Sequence, residues 1–288
     1  MNKEKTLTLS AMAGIAVLLA AVAAVCMTLA LDGAFTPALG YFVKDAPAAA
    51  MLYCTFILSV VLGIAAWICF RTTRIRSVPM PGFTKASAGL VLLTLLWRTA
   101  ETFLQLWQSS ASATVVAHKT LMISGAALGI LFLLELICEL FLPRAQNHPL
   151  VALSAFFPPF YIATQLFLLY FDENMATNGS VKILYQLMYV AFMLMYTAQA
   201  GLRLGRSKML PRYLFCLCTA TALGGGISAS ALACFVANIP GHRLTLSQTA
   251  FCLAVSLYAL TLLLALLRVP RDGWSVTEKP SKQKSITK

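Results

Sequence analysis

Residues 92–107 read LLTLLWRTAETFLQLW. The run is apolar enough to sit in a membrane, yet Arg98 and Glu101 lie near its middle. A span with two central charges is tolerated where they face a protein interior or a water-filled cavity, so its reading depends on what surrounds it. The surroundings are plain. Of 288 residues, 59% are hydrophobic and 11% charged, against about 25% charged in an average soluble domain. Several other apolar runs reach about 20 residues, enough for a helix to cross about 30 Å of hydrocarbon. The expected fold is all-α: a polytopic transmembrane helix bundle with the lipid bilayer as its first partner.

Hydropathy gives eight spans, at about 9–31, 46–70, 88–108, 118–142, 150–171, 183–204, 213–237 and 246–267. They form one transmembrane domain over residues 1–267. The first apolar stretch follows MNKEK and is longer than a signal-peptide core, so it reads as a span that stays attached. Residues 268–288 are polar and basic and read as a disordered cytoplasmic tail.

Charge placement sets an orientation. Seventeen of the 22 Lys and Arg residues fall in one alternate set of segments and four in the other, with Arg98 inside a span. The bias predicts both termini in the cytoplasm and a multi-pass protein of the cell (inner, cytoplasmic) membrane. The net charge of +12 is spread over short connecting segments, which argues against nucleic acid. Anionic lipid headgroups, or a cytoplasmic protein, are the partners that basic loops and a basic tail would meet. Asn178-Gly-Ser matches a glycosylation sequon but is first a turn signal.

Catalytic and metal-binding signatures do not emerge. The eight cysteines all lie in apolar runs and read as small buried hydrophobes. HExxH, GxSxG and a P-loop are absent from the sequence, and His118, His148 and His242 fall at span ends or in loops. No enzyme activity, cofactor or metal site is expected.

Polar residues nevertheless fall in stripes. In span 3, Ser87, Thr94, Arg98, Glu101, Gln105 and Gln108 share one face at helical spacing, opposite Leu92, Leu96, Phe103 and Trp107. Span 4 carries Thr120, Ser124, Glu135 and Glu139. Span 5 carries Ser154, Pro158, Tyr161 and Gln165, and span 6 Tyr185, Tyr189, Tyr196, Gln199 and Arg203. Span 8 has a weaker stripe of Thr245, Gln248, Cys252 and Ser256. Spans 3–6 are therefore expected to form the polar heart, with spans 1 and 2 facing lipid or packing loosely.

Depth along each span suggests that Arg98 meets Glu135 across the hairpin of spans 3 and 4. Glu101 is then left without an obvious partner and is the candidate proton carrier, while Glu139 points to the headgroup zone or to Arg144. Pro158 and Pro159 predict a kink with freed carbonyls in span 5. Gly224, Gly225 and Gly226 permit close helix contact or a local break in span 7.

Stability alone is a poor reason for such charges, since each costs roughly 2.5–3.5 kcal/mol to insert at a helix centre and an apolar pair would serve as well. The expected function is a small-solute permease or proton-coupled secondary transporter, whose partners are a small solute and protons. Its path would be lined by Arg98, Glu101, Gln105, Glu135, Gln165, Tyr196 and Gln199, with hinges at Pro158–Pro159 and Gly224–Gly226. The alternative is a non-transporting membrane component (a sensor, an assembly factor or the membrane subunit of a larger complex) that uses the charges as a structural lock.

Overall fold

The computed structural model describes residues 3–36, 40–43, 46–75, 80–108, 116–141, 153–172, 175, 179–239, 244–269 and 274–276. Helices dominate. They are α1 (Lys3–Gly33), α2 (Pro47–Phe70), α3 (Gly82–Gln108), α4 (Val116–Phe141), α5 (Phe157–Tyr170) and α6 (Ser180–Arg203). A seventh rod follows, made of α7 (Leu210–Thr219), a π-helical segment (Ala220–Gly224) and α8 (Gly225–Val236); the last helix is α9 (Leu246–Leu267). Several starts are legible in the chain. Proline opens α2, α5 and α7, where its missing N–H is not needed. Thr245 and Gln248 cap α9 reciprocally.

Six of these rods are long and apolar enough to cross a membrane: α1, α2, α4, α6, the α7–α8 rod and α9. The other two expected spans differ for separate reasons. Helix α3 has the length, but Lys85, Arg98 and Glu101 lower its apolarity. Helix α5 has 14 residues, about 21 Å at 1.5 Å each, and so does not reach across alone. The expected mid-span kink is instead a break, because the chain turns at Ala155–Phe156 and Pro158 and Pro159 occupy the first turn of the new helix.

The core also differs from expectation. The α7–α8 rod has 83% of its most apolar stretch buried, against 39% for α1 and α2. It runs through the middle of the bundle, with α2 on α7, α1 on α8, and α6 and α9 alongside. Around it, α3, α4, α5 and α6 pack in sequence order, and α9 closes against α3. Helices α1 and α2 are therefore structural neighbours of the centre, although half of each surface is apolar and exposed, as lipid contact requires.

Small residues make the central rod fit. A Cβ on Gly226 would come within 2.5 Å of Ala23 Cβ in α1, and one on Gly63 within 2.7 Å of Phe215 in α7. At Gly224 an added Cβ would meet Phe192 at 2.4 Å and Ser256 at 2.7 Å. Such contacts, packing rather than hydrophobic exclusion, hold helices together in lipid. At the triple glycine the helices approach closely, and the rod runs on without a break through a π-segment that ends at Gly224.

One end of the bundle gathers the N-termini of α1 and α3 and the C-termini of α2 and α9. Lys5 Nζ donates to Thr73 Oγ1 at 2.8 Å, and the Arg268 guanidinium lies 4.7 Å from the Phe83 ring centroid. Strand β3 (Thr73–Ile75) pairs there with β4 (Trp274–Val276) in antiparallel register, Arg74 opposite Ser275. Those last three residues fall inside the segment expected to be a disordered tail, and the loop strand gives them backbone partners. At the far end a short ribbon of β1 (Phe35–Thr36) and β2 (Tyr41–Phe42) sits beside the start of α6, where Ser180 N donates to Gly40 O at 2.9 Å. The buried Lys182 Nζ there donates to the carbonyls of Asp172 at 2.9 Å and Met175 at 3.5 Å.

Candidate functional site

Charged side chains meet inside the bundle at two levels. The first is built on Arg98, carried by the buried face of α3 between Leu95 and Thr102. Arg98 Nη1 reaches Glu101 Oε2 at 3.5 Å, one turn along the same helix, and Nη2 reaches Gln165 Oε1 of α5 at 3.5 Å. Both are at the outer limit of a hydrogen bond. The Nε atom has no hydrogen-bond partner among the described residues, although Arg98 is only 6% exposed. Glu101 is held from the other side by the hydroxyl of Ser247 at the start of α9. Tyr161, one turn before Gln165 on α5, is buried, and its hydroxyl has no hydrogen-bond partner among the described residues.

Glycines bring α4 against this level. A Cβ on Gly129 would meet Thr99 Oγ1 at 2.8 Å and the Tyr161 ring at 3.3 Å, and one on Gly125 would meet Gln165 Nε2 at 3.5 Å. The pair forms a GxxxG face, the usual device for close helix approach in membranes.

The second level lies where the C-terminal parts of α4 and α6 meet. Arg203 pairs through Nη1 with Glu135 and through Nη2 with Glu139. Tyr258 of α9 donates to Glu139 Oε1 at 3.3 Å, and Gln199 Nε2 donates to the Tyr258 hydroxyl oxygen at 3.0 Å. Both glutamates are buried, whereas the Arg203 side chain keeps 26% of its surface exposed. The guanidinium of α6 is thus held by two carboxylates of α4, and α9 joins the level through Glu139.

Aromatic rings fill the space between the levels. Phe132 of α4 lies 5.8 Å from Tyr161, 5.3 Å from Tyr196 and 6.5 Å from Phe251, centroid to centroid, and Tyr161 lies 5.7 Å from Phe251. Tyr196 in turn stacks on Tyr258 at 6.3 Å. The two ionic levels are therefore separated by an apolar layer whose edges are phenols.

These positions revise several expectations. Arg98 does not pair with Glu135; its partners are Glu101 and Gln165, and Glu135 is taken by Arg203. Glu101 is not left alone. Glu139 is not directed to the headgroup zone but sits buried in the second level; Arg144 lies outside the described residues. Gln105 and Gln108 are exposed, because the buried face of α3 runs through Arg98, Thr99 and Thr102 and turns away from them. Gln165, Tyr196 and Gln199 are buried as expected, Gln165 at the first level and the other two at the second.

Arg203 was legible as the end of the Tyr196–Gln199 stripe, but its position at a span end made it read as a loop charge. Ser247 and Tyr258 gave no signal in an apolar helix, whereas the GxxxG of α4 was available in the sequence. Comparison with protein-family models, with curated proteins and with solved structures gives no match. Among the described residues no group of three or more His, Cys, Asp or Glu side chains could hold a metal ion.

Proposed function

We propose that the protein is a small-solute permease of the cell membrane, working as a proton-coupled secondary transporter with Arg98 at its solute site. Eight membrane crossings with both termini in the cytoplasm complete this reading, the α3 and α5 segments crossing inside the shelter of their neighbours.

The observation that carries it is the state of Arg98. A buried guanidinium has five N–H donors to satisfy, and among the described residues its two contacts stand at 3.5 Å while Nε has none. A buried charge so poorly met favours an added acceptor, and a carboxylate or similar oxyanion fits a guanidinium best. The Tyr161 hydroxyl, one turn from Gln165 on the same helix, is a further donor without a hydrogen-bond partner among the described residues.

Coupling follows from neutrality. Arg98 and Glu101 balance each other, so one bound carboxylate leaves one uncompensated negative charge in a medium of low dielectric. A proton on Glu101 restores balance while Ser247 keeps the carboxyl in place. One proton accompanies each carboxylate. The layer of Phe132, Tyr161, Tyr196 and Phe251 is the barrier that closes the path between the two levels.

The test is uptake of radiolabelled hydrophilic mono- and dicarboxylates into vesicles holding the purified protein. Uptake by wild type and its loss in Arg98→Lys, with folding intact, is the expected result. No uptake across the panel contradicts the reading.

The second reading, a non-transporting membrane component, rests on the Arg203 level. There one guanidinium is held at both Nη atoms by two carboxylates from another helix, which is how a lock between α4 and α6 would be built. It predicts that Arg98→Lys changes nothing but stability.

A further inference from the structure

Two rows of side chains run outward from the contact between α2 and α7. The helices meet where Phe215 lies over Gly63, whose added Cβ would come within 2.7 Å of the ring. Trp67 and Arg71 follow Gly63 one and two turns along the same face of α2. On α7, Arg212 stands one turn before Phe215, and Lys208 precedes it in the 3₁₀ turn Ser207–Met209. Strand β3, which follows α2, packs on that turn and on α7, so both rows point to the same end of the bundle and Arg74 joins them. Gly63 is buried, Trp67 is 48% exposed, and Arg71, Lys208 and Arg212 are exposed. Within α7, Arg212 and Phe215 alone escape burial. The helices close at Gly63 and leave the outer parts of both rows open.

Four cations therefore share one rim. Residues 47–75 and 204–219 contain no Asp or Glu, and among the described residues none of the four forms an ion pair. The described acid at this end outside the Arg203 level is Glu4, on the turn of α1 that carries Lys5. Guanidinium groups without a carboxylate suit a phosphate oxyanion. Next to the rim, the outward side of α2 continues as Val60, Ile64 and Ile68, all exposed and apolar. That strip rises about 12 Å, much of one leaflet of a hydrocarbon core about 30 Å thick. Trp67 stands between cations and strip, the position tryptophan takes at a membrane interface. A soluble phosphate or an acidic peptide would use the cations alone. A phospholipid uses all three features.

We infer that the rim of Arg71, Arg74, Lys208 and Arg212 binds the phosphate headgroup of an anionic phospholipid, with Trp67 beside its glycerol and Val60, Ile64 and Ile68 along an acyl chain. The inference needs only that the chain lies in a bilayer. It uses neither Arg98 nor solute movement, so it stands or falls apart from the permease reading.

The test uses the full-length protein in phosphatidylcholine vesicles that carry a small fraction of either phosphatidylglycerol or phosphatidylcholine brominated near the headgroup end of one acyl chain. Bromine quenches the tryptophans it touches. At equal mole fraction the brominated phosphatidylglycerol is expected to quench more than the brominated phosphatidylcholine, and Trp67→Phe should remove the excess. Arg212→Gln and Arg71→Gln should each lower the relative affinity for phosphatidylglycerol about fivefold, the effect of one basic residue at an anionic surface. Lys85→Gln, which removes an exposed cation of α3 at the same end, should leave it unchanged.

Equal quenching by the two brominated lipids would overturn the inference, as would an excess that survives Trp67→Phe. A loss in Lys85→Gln as large as that in Arg212→Gln would mean a diffuse charged surface and would overturn the assigned rim. Full reversal of the excess by inorganic phosphate, or by soluble polyglutamate, at an ionic strength matched with sodium chloride would give the cations to a free anion or to an acidic protein and overturn the lipid. Circular dichroism checks that each variant folds, and Arg71→Gln carries the test if Arg212→Gln does not.

Discussion

Arg203 of α6 and Glu135 of α4, 68 residues apart in the chain, form an ion pair inside the bundle, and the same guanidinium holds Glu139 one turn further along α4. Replacing Arg203 with Leu removes the guanidinium that two buried carboxylates share. The expected loss is about 3–5 kcal/mol, the range for breaking a buried pair from one side. Denaturant titration of the protein in mixed micelles checks it. The double change Arg203→Leu with Glu135→Leu should recover part of the loss, since one of the two buried carboxylates leaves with the guanidinium and Tyr258 still donates to Glu139.

The central rod depends on glycines of unequal importance. A methyl group at Gly224 meets Phe192 and Ser256 well inside contact distance, whereas nothing lies within 4 Å of one added at Gly89. Gly224→Ala is therefore expected to cost about 1–3 kcal/mol, as overpacking does. Gly89→Ala, on α3, should be neutral or slightly stabilising, since alanine is the better helix former. Parallel thermal unfolding of the two variants provides the comparison, and equal effects would contradict the packing described for the π-segment.

How much of this was legible beforehand follows the physics of each signal. The apolar runs and polar stripes carried the helices, because a 3.6-residue period survives in sequence. They also carried the burial of Arg98, Glu135, Gln165, Tyr196 and Gln199. Partner choice was not legible. Arg98 and Arg203 are alike in sequence, and depth alone assigned Glu135 to the wrong one, because the α4–α6 contact joins helices that are not consecutive. The centrality of the seventh rod was missed for a related reason. Its stripe is made of Gly, Ala, Ser and Thr, which show no polarity contrast, and its position is set by close approach rather than by charge.

Strand β4 makes a separate claim about the end of the chain. Arg74 and Ser275 are Cα partners in the β3–β4 ribbon. Partners in an antiparallel pair stand at about 4.5–5.5 Å, within the range that a disulfide spans. In a background without native cysteines, Arg74→Cys with Ser275→Cys should cross-link on mild oxidation, visible as a mobility shift that reductant reverses. Arg71→Cys with Ser275→Cys, outside the register, should cross-link far less. Equal yields would mean that the tail strand does not dock on the loop between α2 and α3.

The most direct measurement of the central claim is solute-driven proton entry. Vesicles containing oriented protein and an internal pH dye receive an inward gradient of a hydrophilic monocarboxylate under a potassium–valinomycin clamp. Wild type should acidify the lumen as solute enters, with one proton per carboxylate bound. Glu101→Gln, which keeps a group for Ser247 and Arg98 to contact but cannot release a proton, should abolish the acidification while binding at Arg98 persists. Acidification that is unchanged in Glu101→Gln, or wild-type vesicles that stay at constant pH while the protein is folded, would contradict the account.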